Sequence, residues 1–196
     1  MSGKESSLWK MCLVLTVISV AAAAGLAAVY SLTKDPIEAS QNKKRTEAIN
    51  QVLPGFSGTT ETVKVCLPED KDSVTLNMAY VDGELFGAAV ETYTLKGFGG
   101  AFSIMVGFDK DGNILGTAVL NASETPGLGD KINADKSDFS KQFEGKNPLD
   151  FMLKVNKDGG DVTPITAATI SSRAYCDAVQ RAYDSFVLAK KEDSNE

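Results

Sequence analysis

The chain opens on a short polar stretch, then carries an uninterrupted uncharged run over residues 11–32, and changes its apolar period twice more before the C-terminus. The 22 residues of that run, rising ~1.5 Å each as a helix, span roughly 33 Å, enough for the hydrocarbon core of a bilayer. After it, Ile37, Ala48, Ile49, Val52 and Leu53 form a helical stripe, with Asp35 predicted as the N-cap, Pro36 at the first helical position and Pro54-Gly55 as the stop. Five β-type segments follow at 62–67, 75–81, 85–94, 102–108 and 114–120. Asp82-Gly83 and Asp111-Gly112 supply tight-turn chemistry between neighbours, which predicts an antiparallel sheet. Residues 139–143 predict a short helix, and residues 151–155 a later strand ending in the loop Asp158-Gly159-Gly160. From Ile170 onward, Ala174, Ala178, Ala182 and Phe186 recur every four residues with Tyr175, Val179 and Tyr183 alongside. Arg173, Asp177, Arg181 and Asp184 fall largely opposite, so this helix is expected to pack on the sheet by its alanine face. The fold class is α+β: a transmembrane helix, then a domain with an antiparallel sheet and packed helices.

The expected organisation is a short N-terminus at 1–10, a membrane span at 11–32, a connecting helix and linker at 33–60, a folded domain at 61–189 and a polar, fraying tail at 190–196. Trp9 and Tyr30 sit near the two ends of the span, where interfacial aromatic side chains belong. Ala21 to Ala24 and Ala27-Ala28 would also suit a cleaved secretory signal, but the length of the run favours an uncleaved anchor. Flanking charge does not set the orientation, because Lys4 and Lys10 precede the span while Lys34, Lys43, Lys44 and Arg45 follow it.

Composition narrows the chemistry. With 43% apolar and 23% charged residues in 196, the chain has room for one core plus an appendage. A net charge of −6, with basic residues interleaved among acids, disfavours nucleic acid. The absence of histidine removes Ser-His-Asp and Cys-His catalysis and nearly every catalytic zinc set, leaving a bound cofactor as the strongest source of any redox chemistry. Cys12 lies in the apolar run, and Cys66 and Cys176 form no Cys-x-x-Cys pair; both are expected to be packing residues, although a disulfide between them is permitted in an oxidising compartment. Asp109, Asp111 and Asn113 are spaced like the start of a calcium loop but lack its glycine and bidentate glutamate, and read as a hairpin turn. The acidic cluster Glu69-Asp70-Lys71-Asp72 reads as solvated surface.

Three short strings remain. Thr166-Ala167-Ala168-Thr169-Ile170-Ser171-Ser172 places small hydroxyl residues at the start of the last helix, where free amides and the positive end of the dipole favour a phosphate. Ordinary capping explains such a run when it stands alone. Ser123-Glu124-Thr125-Pro126-Gly127-Leu128-Gly129 contains a Pro-Gly pair common to surface turns, yet its Thr hydroxyl and amides suit the polar edge of a planar cofactor and Leu128 its apolar part. Lys96-Gly97-Phe98-Gly99-Gly100 reads either as a flexible connection or as a place where a flat ring approaches the backbone beside Phe98.

In this order and spacing the strings resemble the FMN-binding domain shared by the G subunit of the Rnf ferredoxin:NAD oxidoreductase complex and the C subunit of the sodium-translocating NADH:quinone reductase. The resemblance covers nearly the whole chain. It implies FMN joined by a phosphodiester to Thr169, with a separate flavin transferase using FAD as donor. It also implies cofactor contacts at Glu124, Thr125, Gly127, Leu128 and Gly129, at Gly97, Phe98 and Gly99, and at Thr166, Ala168, Ile170 and Ser171. At position 167 the family usually has glycine; alanine is tolerated at negative φ and strained in a left-handed turn. The implied protein is a single-pass subunit of the cytoplasmic (inner) membrane with a short cytoplasmic N-terminus and its FMN domain on the extracytoplasmic side. It would pass electrons among the other subunits of a complex coupled to sodium or proton export. No Gly-x-Gly-x-x-Gly opens a βαβ unit here, so NADH is expected to bind elsewhere. The C subunit is disfavoured because those chains are longer, and a membrane-tethered binding module without a redox role is the alternative from another class.

Overall fold

A computed structural model describes residues 3–67 and 73–193, which divide into two compact units, 1–44 and 45–196. The expected acidic surface cluster at 69–72 lies outside the described residues. Helix α1 runs from Gly3 to Val52 and crosses the boundary between the units. Within the first unit it is the one helix among the described residues long and apolar enough to cross a membrane. Two of its hydroxyls are satisfied along the helix, Thr16 Oγ1 donating to the Cys12 carbonyl at 2.9 Å and Thr33 Oγ1 to the Val29 carbonyl at 2.8 Å, so neither leaves a polar hydrogen unpaired in an apolar medium.

The helix does not restart at Asp35-Pro36 as the sequence predicts; Pro36 lies inside α1. A proline in a helix interior removes one backbone bond and crowds the preceding turn, at a cost of roughly 3 kcal/mol. Long helical runs on both sides offset that loss through propagation, and the Lys34–Glu38 pair at 3.9 Å spans the site.

In the second unit, five strands form an antiparallel meander in chain order: β1 (Thr59–Cys66), β2 (Ser73–Val81), β3 (Glu84–Gly97), β4 (Gly100–Asp109) and β5 (Ile114–Asn121). All five are legible from their pattern. Asp82 (φ 53) and Gly83 (φ 83) both take left-handed values, as a two-residue hairpin of type I′ requires. At the β4–β5 turn, Asp109 Oδ1 accepts from the amides of Asp111 and Asn113, each at 2.8 Å, so the expected hairpin turn is present. No metal-binding group of three or more ligands occurs among the described residues.

Strand alternation sends side chains to two faces. Leu76, Met78, Val90, Ile104, Val106 and Phe108 enter the larger core under helix α2 (Thr169–Asp193), whereas Ala79, Ala89, Met105 and Ala118 meet Ala48, Val52 and Leu53 at the end of α1. The second contact is close because Gly107 has no side chain; a Cβ there would run into the Val52 carbonyl oxygen. On the other face, Ala174, Ala178 and Ala182 are fully buried and let α2 lie near the sheet, with Tyr175 anchoring it through a hydrogen bond from its hydroxyl to Thr117 Oγ1 at 2.7 Å.

Three expectations need correction. Residues 151–155 form no strand: Leu153 and Val155 are buried as alternation demands, but the segment meets only one isolated parallel bridge, Val155 with Val162, because no sheet edge lies alongside it. Cys66 is exposed rather than packed, and both Cys66 and Cys176 are free thiols; only Cys176 is buried. The tail does not fray from Lys190, since α2 continues to Asp193, with Lys190 Nζ donating to the Lys110 carbonyl at 2.6 Å. The predicted short helix is present as a 3-10 turn, Asp138–Phe143, whose second amide, that of Phe139, is capped by Ser137 Oγ at 3.1 Å.

Candidate functional site

Two turns and a hairpin tip meet at the start of α2. In the first turn, the Leu128 amide donates to the Thr125 carbonyl at 3.1 Å across Pro126-Gly127, and Gly127 has φ 74. Proline second and a left-handed residue third define a type II turn, so the glycine here is a backbone requirement. The chain then enters a 3-10 turn, Gly129–Ile132, anchored by fully buried Ile132.

In the second turn the Ala168 amide donates to the Ile165 carbonyl at 3.0 Å, and the third residue, Ala167, has φ 63. A type II turn favours glycine at that place; here an alanine is held left-handed. The turn persists because Ser172 clamps it from within α2, its Oγ accepting from the Ile165 amide at 2.9 Å and donating to the Ala168 carbonyl at 3.0 Å. Left-handed backbone costs an L-residue roughly 1–2 kcal/mol, and glycine returns about 0.4–1 kcal/mol of that through a freer unfolded chain. Ala167→Gly is therefore expected to stabilise the domain by about 0.5–1 kcal/mol, read as a higher urea midpoint at unchanged slope.

The first intrahelical bond of α2 runs from the Ser172 amide to the Ala168 carbonyl at 3.0 Å. The amides of Thr169, Ile170 and Ser171 thus precede the helical ladder, at the positive end of a 25-residue helix. These residues help line a cavity of about 340 Å³, together with Phe98, Glu124, Thr125, Leu128, Gly129, Ala167 and Ala168. Phe98, Leu128 and Ile170 leave 67%, 42% and 47% of their surface open around it, an apolar rim with no fixed cover.

Of the residues singled out in the sequence, Phe98, Glu124, Thr125, Leu128, Gly129, Ala168, Thr169, Ile170 and Ser171 border this one cavity. Gly97, Gly99, Gly127 and Thr166 do not. Gly97 and Gly99 instead pack behind it: a Cβ on Gly97 would stand 2.6 Å from Glu124 Oε1, and one on Gly99 would strike the Ser123 carbonyl. Gly127 and Thr166 belong to the two turns. Glu124 is buried, with Oε2 accepting from Ser171 Oγ at 2.9 Å and Oε1 without a hydrogen-bond partner. Ala167 also lines the cavity and is missed by sequence reasoning; its signal is the departure from glycine.

A second cavity of about 550 Å³ lies along α2, lined by Lys96, Leu153, Lys154, Val155, Asp158, Arg173, Cys176 and Asp177 among others. Burial pushes its Cys176 thiol up to about 12, which makes that sulfur a poor nucleophile at neutral pH. No contiguous string could have announced this groove, because its walls come from separate segments. Its rim is tied by Lys96 to Asp177 at 2.5 Å and by a fork from Arg173 Nε and Nη2 to Asp158 at 2.6 and 2.8 Å.

The Arg173 guanidinium holds the Asp158 carboxyl below its usual range. A depressed carboxylate contributes stability above its unfolded pKa, and the contribution is lost as pH falls through the folded value. Asp158→Asn should therefore lower the unfolding midpoint slightly at neutral pH and leave it unchanged once the pH is below that value, a convergence measurable by thermal melts across the acid range.

Comparison with known proteins follows these elements. A family described as FMN-binding domain matches residues 97–184, and one described as RnfG N-terminal region matches residues 1–52. The G subunit of the ion-translocating oxidoreductase complex of Aliivibrio fischeri is 38% identical over 183 residues, covering 88% of this chain and 87% of that protein. The G subunit of the same complex from Vibrio atlanticus is 36% identical over 179 residues, covering 87% and 86%, and that from Shewanella piezotolerans 32% identical over 188 residues, covering 91% and 89%. The matched FMN-binding region takes in the hairpin tip, both turns and the first turns of α2, so the residues around the smaller cavity and the long N-terminal helix lead to one conclusion: the chain belongs to the family of G subunits of ion-translocating oxidoreductase complexes and carries that family's FMN-binding domain.

Proposed function

We propose that this chain is the FMN-carrying electron-transfer subunit of an Rnf-type ferredoxin:NAD oxidoreductase complex, with the cofactor joined to Thr169 through a phosphodiester. The observation that carries the reading is the position of Thr169: a half-buried hydroxyl residue opening α2 in the wall of the cavity that the 124–129 turn completes. The cavity suits FMN on three counts. The free amides and dipole at the helix start suit a phosphate. The exposed apolar side chains of Phe98, Leu128 and Ile170 suit a ring face. The Thr125 hydroxyl and the unpartnered oxygen of Glu124 suit a ligand rich in hydrogen-bond donors.

In this reading Thr166 and Ala168 shape the turn that presents Thr169, Gly127 shapes the opposing turn, and Gly97, Gly99 and Gly129 allow close packing around Glu124. A flavin supplies the one- and two-electron chemistry that the side chains of a histidine-free protein do not. During attachment the Thr169 oxygen loses its proton and bonds to the FMN-side phosphorus of FAD, while the pyrophosphate bond breaks and AMP departs; a flavin transferase brings the FAD. The covalent tether keeps FMN from being lost from a domain outside the cytoplasm.

The apolar part of α1 supports a single-pass anchor at 11–32; the likeness to the G subunits is the ground for setting it in the cytoplasmic membrane, with residues 1–10 inside and the FMN domain outside. Other subunits of the complex supply ferredoxin and NADH sites and couple electron flow to sodium or proton export. The test is direct. The chain, purified from membranes of cells that express a competent transferase, is denatured, run on a gel and weighed intact. One FMN moiety in the mass and flavin fluorescence travelling with the band are expected; a bare, colourless polypeptide refutes the reading.

A further inference from the structure

Glu124 is only 7% exposed, whereas glutamates this deeply buried ordinarily meet a cation. Its Oε2 accepts a single hydrogen bond, from Ser171 Oγ at 2.9 Å, its Oε1 has no partner, and no lysine or arginine among the described residues pairs with it. Room for it is made by two glycines from different segments: a Cβ on Gly97 would stand 2.6 Å from Oε1, and a Cβ on Gly129 2.5 Å from Oε2. Holding a half-satisfied carboxyl group out of water costs free energy, and a turn of this geometry needs no such group to form. Glu124 is part of the wall of the cavity that Thr169 also lines.

We propose that Glu124 is a fixed negative charge that lowers the reduction potential of the flavin in this cavity, a role that rests on the FMN reading above. Reduction adds negative charge to the ring system of a flavin. A buried carboxylate nearby is weakly screened by solvent, so it opposes that added charge and favours the oxidised state. Ser171 then acts as a positioning residue: its hydroxyl fixes one carboxylate oxygen and so fixes where the charge sits.

The experiment is a redox titration of the full chain in detergent, carrying its covalent flavin, followed by flavin absorbance. Glu124→Gln keeps the shape and removes the charge. It should favour the reduced state by on the order of tenfold, an upward shift of about 30 mV for a two-electron couple. Glu124→Asp keeps the charge and should stay near the parent value. An unchanged potential in Glu124→Gln, or equal shifts in both variants, overturns the proposal. If Glu124→Gln takes up no flavin, the size-matched pair Glu124→Asp and Glu124→Asn is compared instead, and equal potentials overturn it as well. Fluorescence of the denatured parent band separates the two levels: with it present, an unchanged potential sinks the role of Glu124 alone; with it absent, the FMN reading itself falls.

Discussion

Thr169→Val is expected to remove all flavin fluorescence from the denatured band and to lower the intact mass to that of the bare chain, with the fold retained. Valine matches threonine in shape and branching and lies close to it in helix propensity, so the start of α2 keeps its geometry. No hydrogen bond of the described residues depends on the Thr169 hydroxyl, and the stability change should stay within about 0.5 kcal/mol. Thr169→Ser restores a nucleophilic oxygen at the same place and should regain the flavin. Fluorescence that persists in the valine variant would move the attachment to Thr166 or Ser171. Of these, Ser171 is fully buried and already donates to Glu124, while Thr166 is exposed in the turn.

The largest effect on folding is expected from Tyr175→Ala. The Tyr175 side chain is fully buried, and its ring centroid lies 5.3 Å from those of Phe139 and Phe143 and 6.4 Å from that of Phe102. Truncation removes the ring that joins α2, the sheet and the 138–143 turn, and the loss should be about 3–5 kcal/mol. Since domains of this kind hold about 5–15 kcal/mol in all, such a variant would sit near its unfolding threshold. Tyr175→Phe keeps the ring and removes only the hydroxyl, which leaves the buried Thr117 hydroxyl without its donor and should cost about 1–3 kcal/mol. Urea unfolding of the two variants, followed by tyrosine-region circular dichroism, checks the order; an alanine variant no weaker than the phenylalanine one would contradict this account of the core.

Strands β2 to β5 are legible because they bury apolar side chains in the core, β1 because of its β-branched residues, and the last helix because its alanine and aromatic positions recur at helical spacing. The same logic misleads at residues 151–155. There Leu153 and Val155 alternate into the core, but pattern reports burial, and a strand also needs an unpaired neighbour at its edge. Asp35-Pro36 carries every local sign of a helix start, yet the cost of one proline is smaller than the gain from helix on both sides. Cys66 escapes the pattern because its strand, β1, lies at the edge of the sheet and buries little of itself.

The site divides in the same way. Local chemistry marks the hydroxyl run, the Pro-Gly turn and the aromatic-glycine tip, since caps, type II turns and hairpins are written within a few residues. It assigns Gly97 and Gly99 to the cavity as openings for a flat ring, whereas folding sets them behind Glu124.

The chain alone therefore determined the apolar span, the order of strands, the closing helix and the strings that converge at its start, because each depends on neighbours near in sequence. Tertiary structure alone decided that Glu124 loses its water beneath two glycines and one serine, and that Ala167 is forced left-handed by the clamp from Ser172. Burial and backbone strain are set by what packs from elsewhere in the chain, and those partners lie up to 47 residues away from the side chains they constrain.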